Sequence, residues 1–248
     1  MTAETRQRKA ARDLERRRKQ QLYLLIAIVA VAVVALGVIV LTTQQLTQSA
    51  QQAAQIAESE TYAGIERSVT EDDKFALGNP DAPLTIAEYS SFSCGHCLGF
   101  HDNQFPQLLE YIRDGSVYFV YVPVAFDQYA AAATVAAYCA GQQDRFWEMH
   151  DILFGYFAEF SINGYTRGRF DAAANALGLD QAAFDTCLES SEASNWMSAS
   201  TDLLRQLAQE YPEVTGTPTL TFNGVPPEWG SGAPPMDFIR QKIAEAAG

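Results

Sequence analysis

Leu22 to Leu41 is a run of 20 residues without a charge, and it restricts what the chain can fold into more than any other stretch. At about 1.5 Å per residue such a run crosses the roughly 30 Å hydrocarbon layer of a bilayer, where a single segment satisfies its backbone groups only as a helix. The 21 residues before it carry eight bases (Arg6, Arg8, Lys9, Arg12, Arg16, Arg17, Arg18, Lys19) against three acids. No comparable basic cluster follows, which places the N-terminus in the cytoplasm and the rest of the chain outside. A cleaved signal peptide is the competing reading. Its apolar core is normally about 7 to 15 residues and ends in a small-residue site; this run is longer, although Ser49-Ala50 offers small residues beyond it.

Charge divides at the same boundary. Residues 1–21 have net charge +5, and residues 22–248 hold nine bases and 27 acids, net −18. An acidic exported part argues against nucleic acid or anionic lipid as its partner. The expected organisation is a basic cytoplasmic tail (1–21), a transmembrane helix (22–41), a polar stalk rich in Gln, Thr, Ala and Ser (42–69), and one domain (70–248) long enough for a sizeable core. Leu46, Ala50, Ala53 and Ala57 have a heptad-like spacing in the stalk, but alanines bury too little for a dimer seam.

Within the domain, Cys94-Gly95-His96-Cys97 sets two thiols three residues apart where a strand pattern gives way to a helical one. A thiolate at the first helical turn is stabilised by free backbone N–H groups and the macrodipole, so Cys94 is expected to ionise easily, with Cys97 one turn away. The His96 imidazole between them can donate a hydrogen bond or carry positive charge toward the thiolate, favouring the reduced form and making the disulfide oxidising. The alternative, half of a zinc site, needs further ligands. Cys139, Cys187, His101 and His150 are scattered singly rather than as a second close pair. Four cysteines outside the cytoplasm permit disulfides. Cys139 and Cys187 read as two buried free thiols, as a second redox pair, or, favoured in an oxidising compartment, as a structural disulfide tying two helices.

Leu84 to Tyr89 alternates as a strand after the turn-rich Gly78-Asn79-Pro80-Asp81-Ala82-Pro83. Leu98, Phe105, Leu108, Leu109 and Ile112 mark a helix ended by Asp114-Gly115; Val117 to Val124 is a second strand. A helical stretch runs from about Tyr129 to Tyr211. Thr219 to Phe222 returns to strand, Asn223-Gly224 signals a hairpin, and Met236 to Ala247 closes the chain as a helix. Glu88 falls on the same strand face as Leu84 and Ile86.

These segments together resemble the DsbA-like thiol:disulfide oxidoreductases of the thioredoxin superfamily, in a membrane-anchored bacterial form. The resemblance rests on the Gly78–Pro83 lead-in; on Phe92-Ser93-Cys94-Gly95-His96-Cys97 with Phe100-His101 behind it; on Cys139-Ala140 and Gln143 to Asp151 in a helical insertion; and on Val214 to Thr219. It implies an α/β thioredoxin fold with a helical insertion at about 128–211, preceded by a single N-terminal transmembrane helix. It also implies that Pro218 is cis against the dithiol, that the Thr217 backbone pairs with a substrate peptide, and that Glu88 exchanges a proton with Cys97; without it Glu88 is equally a surface carboxylate. The implied activity is introduction of disulfides into reduced exported proteins, with no metal or nucleotide cofactor and a quinone-linked membrane protein as reoxidant. Gly95-His96 departs from the Pro-His of strong oxidases in this group, so a reductase or isomerase kept reduced by a membrane donor is the alternative, and a non-catalytic module with a zinc-binding CxxC the rival from another class.

Overall fold

The computed structural model describes the backbone of residues 3–248; the side chains of residues 1–11, 13 and 14, including Arg6, Arg8 and Lys9 of the basic tail, lie outside the described residues. The chain forms two compact units, Met1–Gln48 and Ser49–Gly248. In the first, helix α1 (Ala3–Ala57) begins, and every side chain from Leu22 to Leu41 is exposed. Uncovered apolar surface of that length makes this helix a candidate membrane anchor.

The second unit is built on a five-stranded sheet of order β1-β2-β4-β3-β5, from β1 (Arg67–Val69), β2 (Phe75–Leu77), β3 (Leu84–Ser90), β4 (Val117–Pro123) and β5 (Thr219–Phe222). β3 and β4 run parallel, in register Glu88↔Tyr121; the other pairings are antiparallel. β4 reads Val-Tyr-Phe-Val-Tyr-Val-Pro and is buried throughout, as a central strand covered on both faces must be. Phe119 and Tyr121 enter the main core, while Tyr118, Val120 and Val122 pack with Ala76 and Leu203 on the other face. β3 alternates strictly, with Leu84, Ile86, Glu88 and Ser90 inward.

α2 (Gly95–Asn103) and α3 (Phe105–Arg113) follow β3. The run expected as one helix breaks at Gln104 because Pro106 has no N–H to continue the ladder and instead sits in the first turn of α3. Between β4 and β5 come α4 (Gln128–Gly141), α5 (Phe146–Phe160), a 3-10 turn (Ser161–Gly164), α6 (Arg167–Ala176), α7 (Gln181–Leu188) and α8 (Ser191–Glu210), then α9 (Met236–Ala246) after β5. The helical stretch is thus five helices. Phe146, Trp147, Ile152, Leu153 and Phe154 of α5 are buried under β4 and α2, each large side chain contributing about 1.5–3 kcal/mol by leaving water.

Three local expectations differ from the structure. Residues 49–57, assigned by composition to a solvated stalk, are helical, with Ser49 and Ala53 fully buried in the second unit; small side chains allow the close approach that their composition disguised. The sheet begins at Arg67 rather than after residue 70, with the Arg67 guanidinium donating to both Glu148 carboxylate oxygens at 3.2 and 2.8 Å. Asn223 and Gly224 turn at positive φ, yet the return is the single bridge Phe222↔Val225, since Pro226 and Pro227 cannot donate to a ladder.

Cys139 and Cys187 are bonded, joining α4 to α7 with Cα atoms 5.6 Å apart across 48 residues of sequence. Closing a loop of that length contributes about 4 kcal/mol in the chain-entropy view. Replacing both cysteines by alanine is expected to cost about 2–4 kcal/mol in denaturant unfolding. An unchanged midpoint would assign the pair no structural weight.

Candidate functional site

The end of β3 leads through Ser91, Phe92 and Ser93 to Cys94, which takes extended φ/ψ (−102°, 118°) as the N-cap of α2. Two contacts from the segment between β4 and β5 pin this approach. The Tyr165 hydroxyl donates to the Phe92 carbonyl at 2.6 Å, and the Ser93 hydroxyl donates to Asp127 Oδ2 at 2.7 Å. Asp127 in turn caps α4, its Oδ1 accepting from the Tyr129 and Ala130 N–H groups at 2.8 and 2.9 Å.

The two thiols meet different surroundings. Both are free; Cys94 is half-buried and Cys97 fully buried. As a thiol, Cys94 donates from Sγ to the Thr217 carbonyl at 3.3 Å. As a thiolate it is held by the Cys97 thiol foremost, against the opposing effect of burial, and then by the Thr217 hydroxyl and the backbone N–H groups of Cys97 and His96, which bring its pKa down to about 5. Cys97 is pushed strongly the other way, first by burial, then by the Cys94 interaction and the Glu88 and Cys94 charges; the Ser91 N–H donates to its Sγ at 3.4 Å. One sulfur is therefore an accessible anion at neutral pH and the other a sequestered thiol. The His96 side chain is exposed, and it is the backbone N–H of His96 that reaches the Cys94 sulfur.

Thr217-Pro218 is a cis peptide facing Cys94, with Pro218 buried and Thr217 half-buried. Ser231 holds this loop: its Oγ accepts from the Thr215 and Gly216 N–H groups at 2.9 and 2.8 Å and contacts the Thr219 hydroxyl at 2.9 Å. Gly230, at φ +71°, passes so close to the Glu213 carbonyl that a Cβ there would lie 2.0 Å from its oxygen, so the loop's support requires glycine.

Glu88 points inward on β3 and is 3% exposed. Burial raises its pKa to about 8, with the nearby Ser90 hydroxyl lowering it and the Cys94 charge raising it further. It can thus exchange a proton near neutrality beside Cys97.

His101, His150 and Asp151 are the described residues whose ligand atoms could face one metal ion together, all within 4.8 Å of one another. Asp151 and His150 are already engaged with each other, while His101 Nδ1 is buried without a partner. Asp151 Oδ1 accepts from the Tyr62 hydroxyl at 2.7 Å and from His150 Nδ1 at 2.9 Å, with His101 Nε2 at 3.9 Å. Burial lowers His101 to about 4 and His150 to about 3, so these contacts involve neutral imidazoles. The group braces α2 against α5.

Asp127, Tyr165 and Ser231 escape a sequence reading. Asp127 alone leaves a trace, as an acid directly before a helical run; the other two act through partners 73 and 15 residues away.

Residues 70–231 match the family model described as Thioredoxin. A Rickettsia bellii (strain RML369-C) protein named "Putative protein-disulfide oxidoreductase" is 26% identical over 159 residues, covering 64% of this chain and 60% of that protein. Disulfide bond formation protein D of Bacillus subtilis (strain 168) is 32% identical over 84 residues, 32% of this chain and 37% of that protein. The crystal structure of Wolbachia pipientis alpha-DsbA1 superposes with a TM-score of 0.61 at 21% identity, over 72% of this chain and 92% of that one, a likeness of fold. The chain spans about 60% of the length of the Rickettsia bellii relative.

Proposed function

The chain belongs to the thioredoxin family, with a DsbA-like fold, and from that premise we propose that it is a membrane-anchored thiol:disulfide oxidoreductase that introduces disulfides into exported proteins through Cys94 and Cys97. The observation that carries this reading is the split between the two sulfurs: Cys94 lowered to about 5 and partly accessible, Cys97 raised and buried. A stabilised Cys94 thiolate is a good leaving group and favours the reduced pair, so the disulfide tends to oxidise others.

In the oxidised enzyme a substrate thiolate attacks Cys94 Sγ. The Cys94–Cys97 bond breaks, its electron pair goes to Cys97 Sγ, and Glu88 supplies the proton that Cys97 takes up. A second substrate thiolate attacks the substrate sulfur of the mixed disulfide, the substrate disulfide forms, and Cys94 leaves as thiolate. The substrate loses two electrons and the pair gains them. Thr217, facing Cys94, offers its backbone to an extended peptide. Turnover needs an external oxidant, for which a quinone-linked membrane protein is the proposed partner. α1 serves as a single-pass anchor with a cytoplasmic N-terminus, supported by the basic residues before Leu22. The domain organisation follows, with the qualification that residues 49–57 are packed helix.

Equilibrating the full chain with glutathione redox buffers tests the reading. The Cys94–Cys97 potential is expected well above that of thioredoxin, about −270 mV, toward the DsbA end near −120 mV. A value at the thioredoxin end overturns the oxidase direction in favour of a reductase.

A further inference from the structure

Glu88 does not stand alone under the dithiol. Across the parallel pairing its register partner is Tyr121, and two residues along its own strand, on the same face, is Ser90. Tyr121 and Ser90 are both completely buried, and neither the phenol oxygen nor Ser90 Oγ finds a protein partner in good hydrogen-bonding geometry. A buried hydroxyl left unpaired costs about 1–3 kcal/mol, and two together beside a carboxyl call for an explanation. Packing alone does not supply one. The Tyr121 ring is enclosed by Phe92 (5.7 Å), Phe146 (5.6 Å) and His150 (4.8 Å), contacts that phenylalanine would make equally well without burying an oxygen.

We infer that Ser90 and Tyr121 form the hydroxyl donor set that receives the Glu88 carboxylate when it gives up its proton to Cys97, acting as positioning residues for that exchange. The inference rests on the reading of Glu88 as proton exchanger. In the reduced protein, with Glu88 protonated, the hydroxyls meet only the neutral carbonyl oxygen of the carboxyl as an acceptor. Once Glu88 ionises, both of its oxygens become charged acceptors, and hydrogen bonds to an ion are about twice as strong as neutral ones. The Ser90 hydroxyl already lies near enough to both groups to lower each of them.

Among the described residues no cation acts on the carboxylate as an alternative. From α2 it meets the Cys94 thiolate, whose charge opposes its own, and the Cys97 thiol, which stays protonated. From β4 it meets Tyr121; behind that ring stand His150 of α5, neutral at working pH, and Tyr165. β5 presents Thr219 to Phe222, without charge, and α9 turns Met236, Ile239 and Ile243 inward. Two hydroxyls are therefore what the fold supplies to hold this anion.

The test loads the full chain with glutathione at Cys94 and follows its Cys97-dependent release from pH 5 to 9 in wild type, Tyr121→Phe, Ser90→Ala and Glu88→Gln, and in each hydroxyl variant combined with Glu88→Gln. Tyr121→Phe and Ser90→Ala should each move the inflection upward by about one pH unit, a roughly tenfold slower release below it. Neither should add anything in the Glu88→Gln background. A folded Tyr121→Phe with an unmoved inflection, while Glu88→Gln removes the limb, overturns the donor set and leaves Glu88 standing. A limb that survives Glu88→Gln overturns the proton-exchanger reading and the donor set with it. Should Ser90→Ala not fold, Tyr121→Phe decides, because it keeps every ring contact and its thermal midpoint should match or exceed wild type.

Discussion

Cys94→Ser is expected to reduce disulfide transfer to the uncatalysed rate, and Cys97→Ser to accumulate substrate adducts bound through Cys94. Attack has to fall on a sulfur that an incoming thiolate can reach, and only Cys94 is accessible; Cys97 is fully buried beneath it. Without Cys97 the intramolecular route out of a mixed disulfide disappears, so adducts persist for as long as no second thiol resolves them. Non-reducing gels with mass spectrometry of the Cys97→Ser protein check this, and adducts mapping to another cysteine would reverse the assignment. Alkylation of Cys94 should inflect near pH 5, where its thiolate forms.

Glu88→Gln is expected to slow Cys97-dependent release of a mixed disulfide by about a hundredfold near pH 7, the range typical of a lost general base. Cys97 holds its proton tightly because it is buried, and only a base in contact with the same interior can take it. The sign follows from the groups around Glu88. Its value of about 8 in the reduced protein includes a push from the Cys94 thiolate. In a mixed disulfide that charge is gone, so wild-type release should climb on a limb that ends below pH 8. The amide variant should lack that limb while the Cys94 alkylation inflection stays near pH 5. Stability gives a second readout. A carboxyl raised from 4.5 to about 8 on folding contributes stability that is fully present below about 4.5 and lost as pH rises through 8. The thermal midpoint of Glu88→Gln should therefore gain on wild type across that window.

What sequence could reveal here was set by the range over which each signal acts. The dithiol at a helix start, the alternation that turns Glu88 inward and the fully apolar β4 are local patterns, and each occupies its expected place. β1 and β2 are three residues each, too short to establish a period. Phe75 of β2 is legible as a core residue only once Phe146 of α5 stacks on it at 4.1 Å. The break between α6 and α7 carries local signals, Gly178 at φ +68° past α6 and Asp180 capping α7, but the apolar spacing by itself reads as one continuous helical stretch. Within the site, Tyr165, Ser231 and the hydroxyls of Ser90 and Tyr121 gain meaning only from what lies opposite them.

The bond between Cys139 and Cys187 makes the protein a client of the kind of reaction it is proposed to perform. If export follows the proposed route, each new copy emerges with four thiols, one pair destined for permanence and the other for repeated use. Maturation of each copy therefore draws on oxidising equivalents already circulating outside the cytoplasm, supplied by older copies or by whatever recharges them. On that reading the population is self-propagating, because oxidised copies can complete newcomers whose stability draws on the Cys139–Cys187 bond.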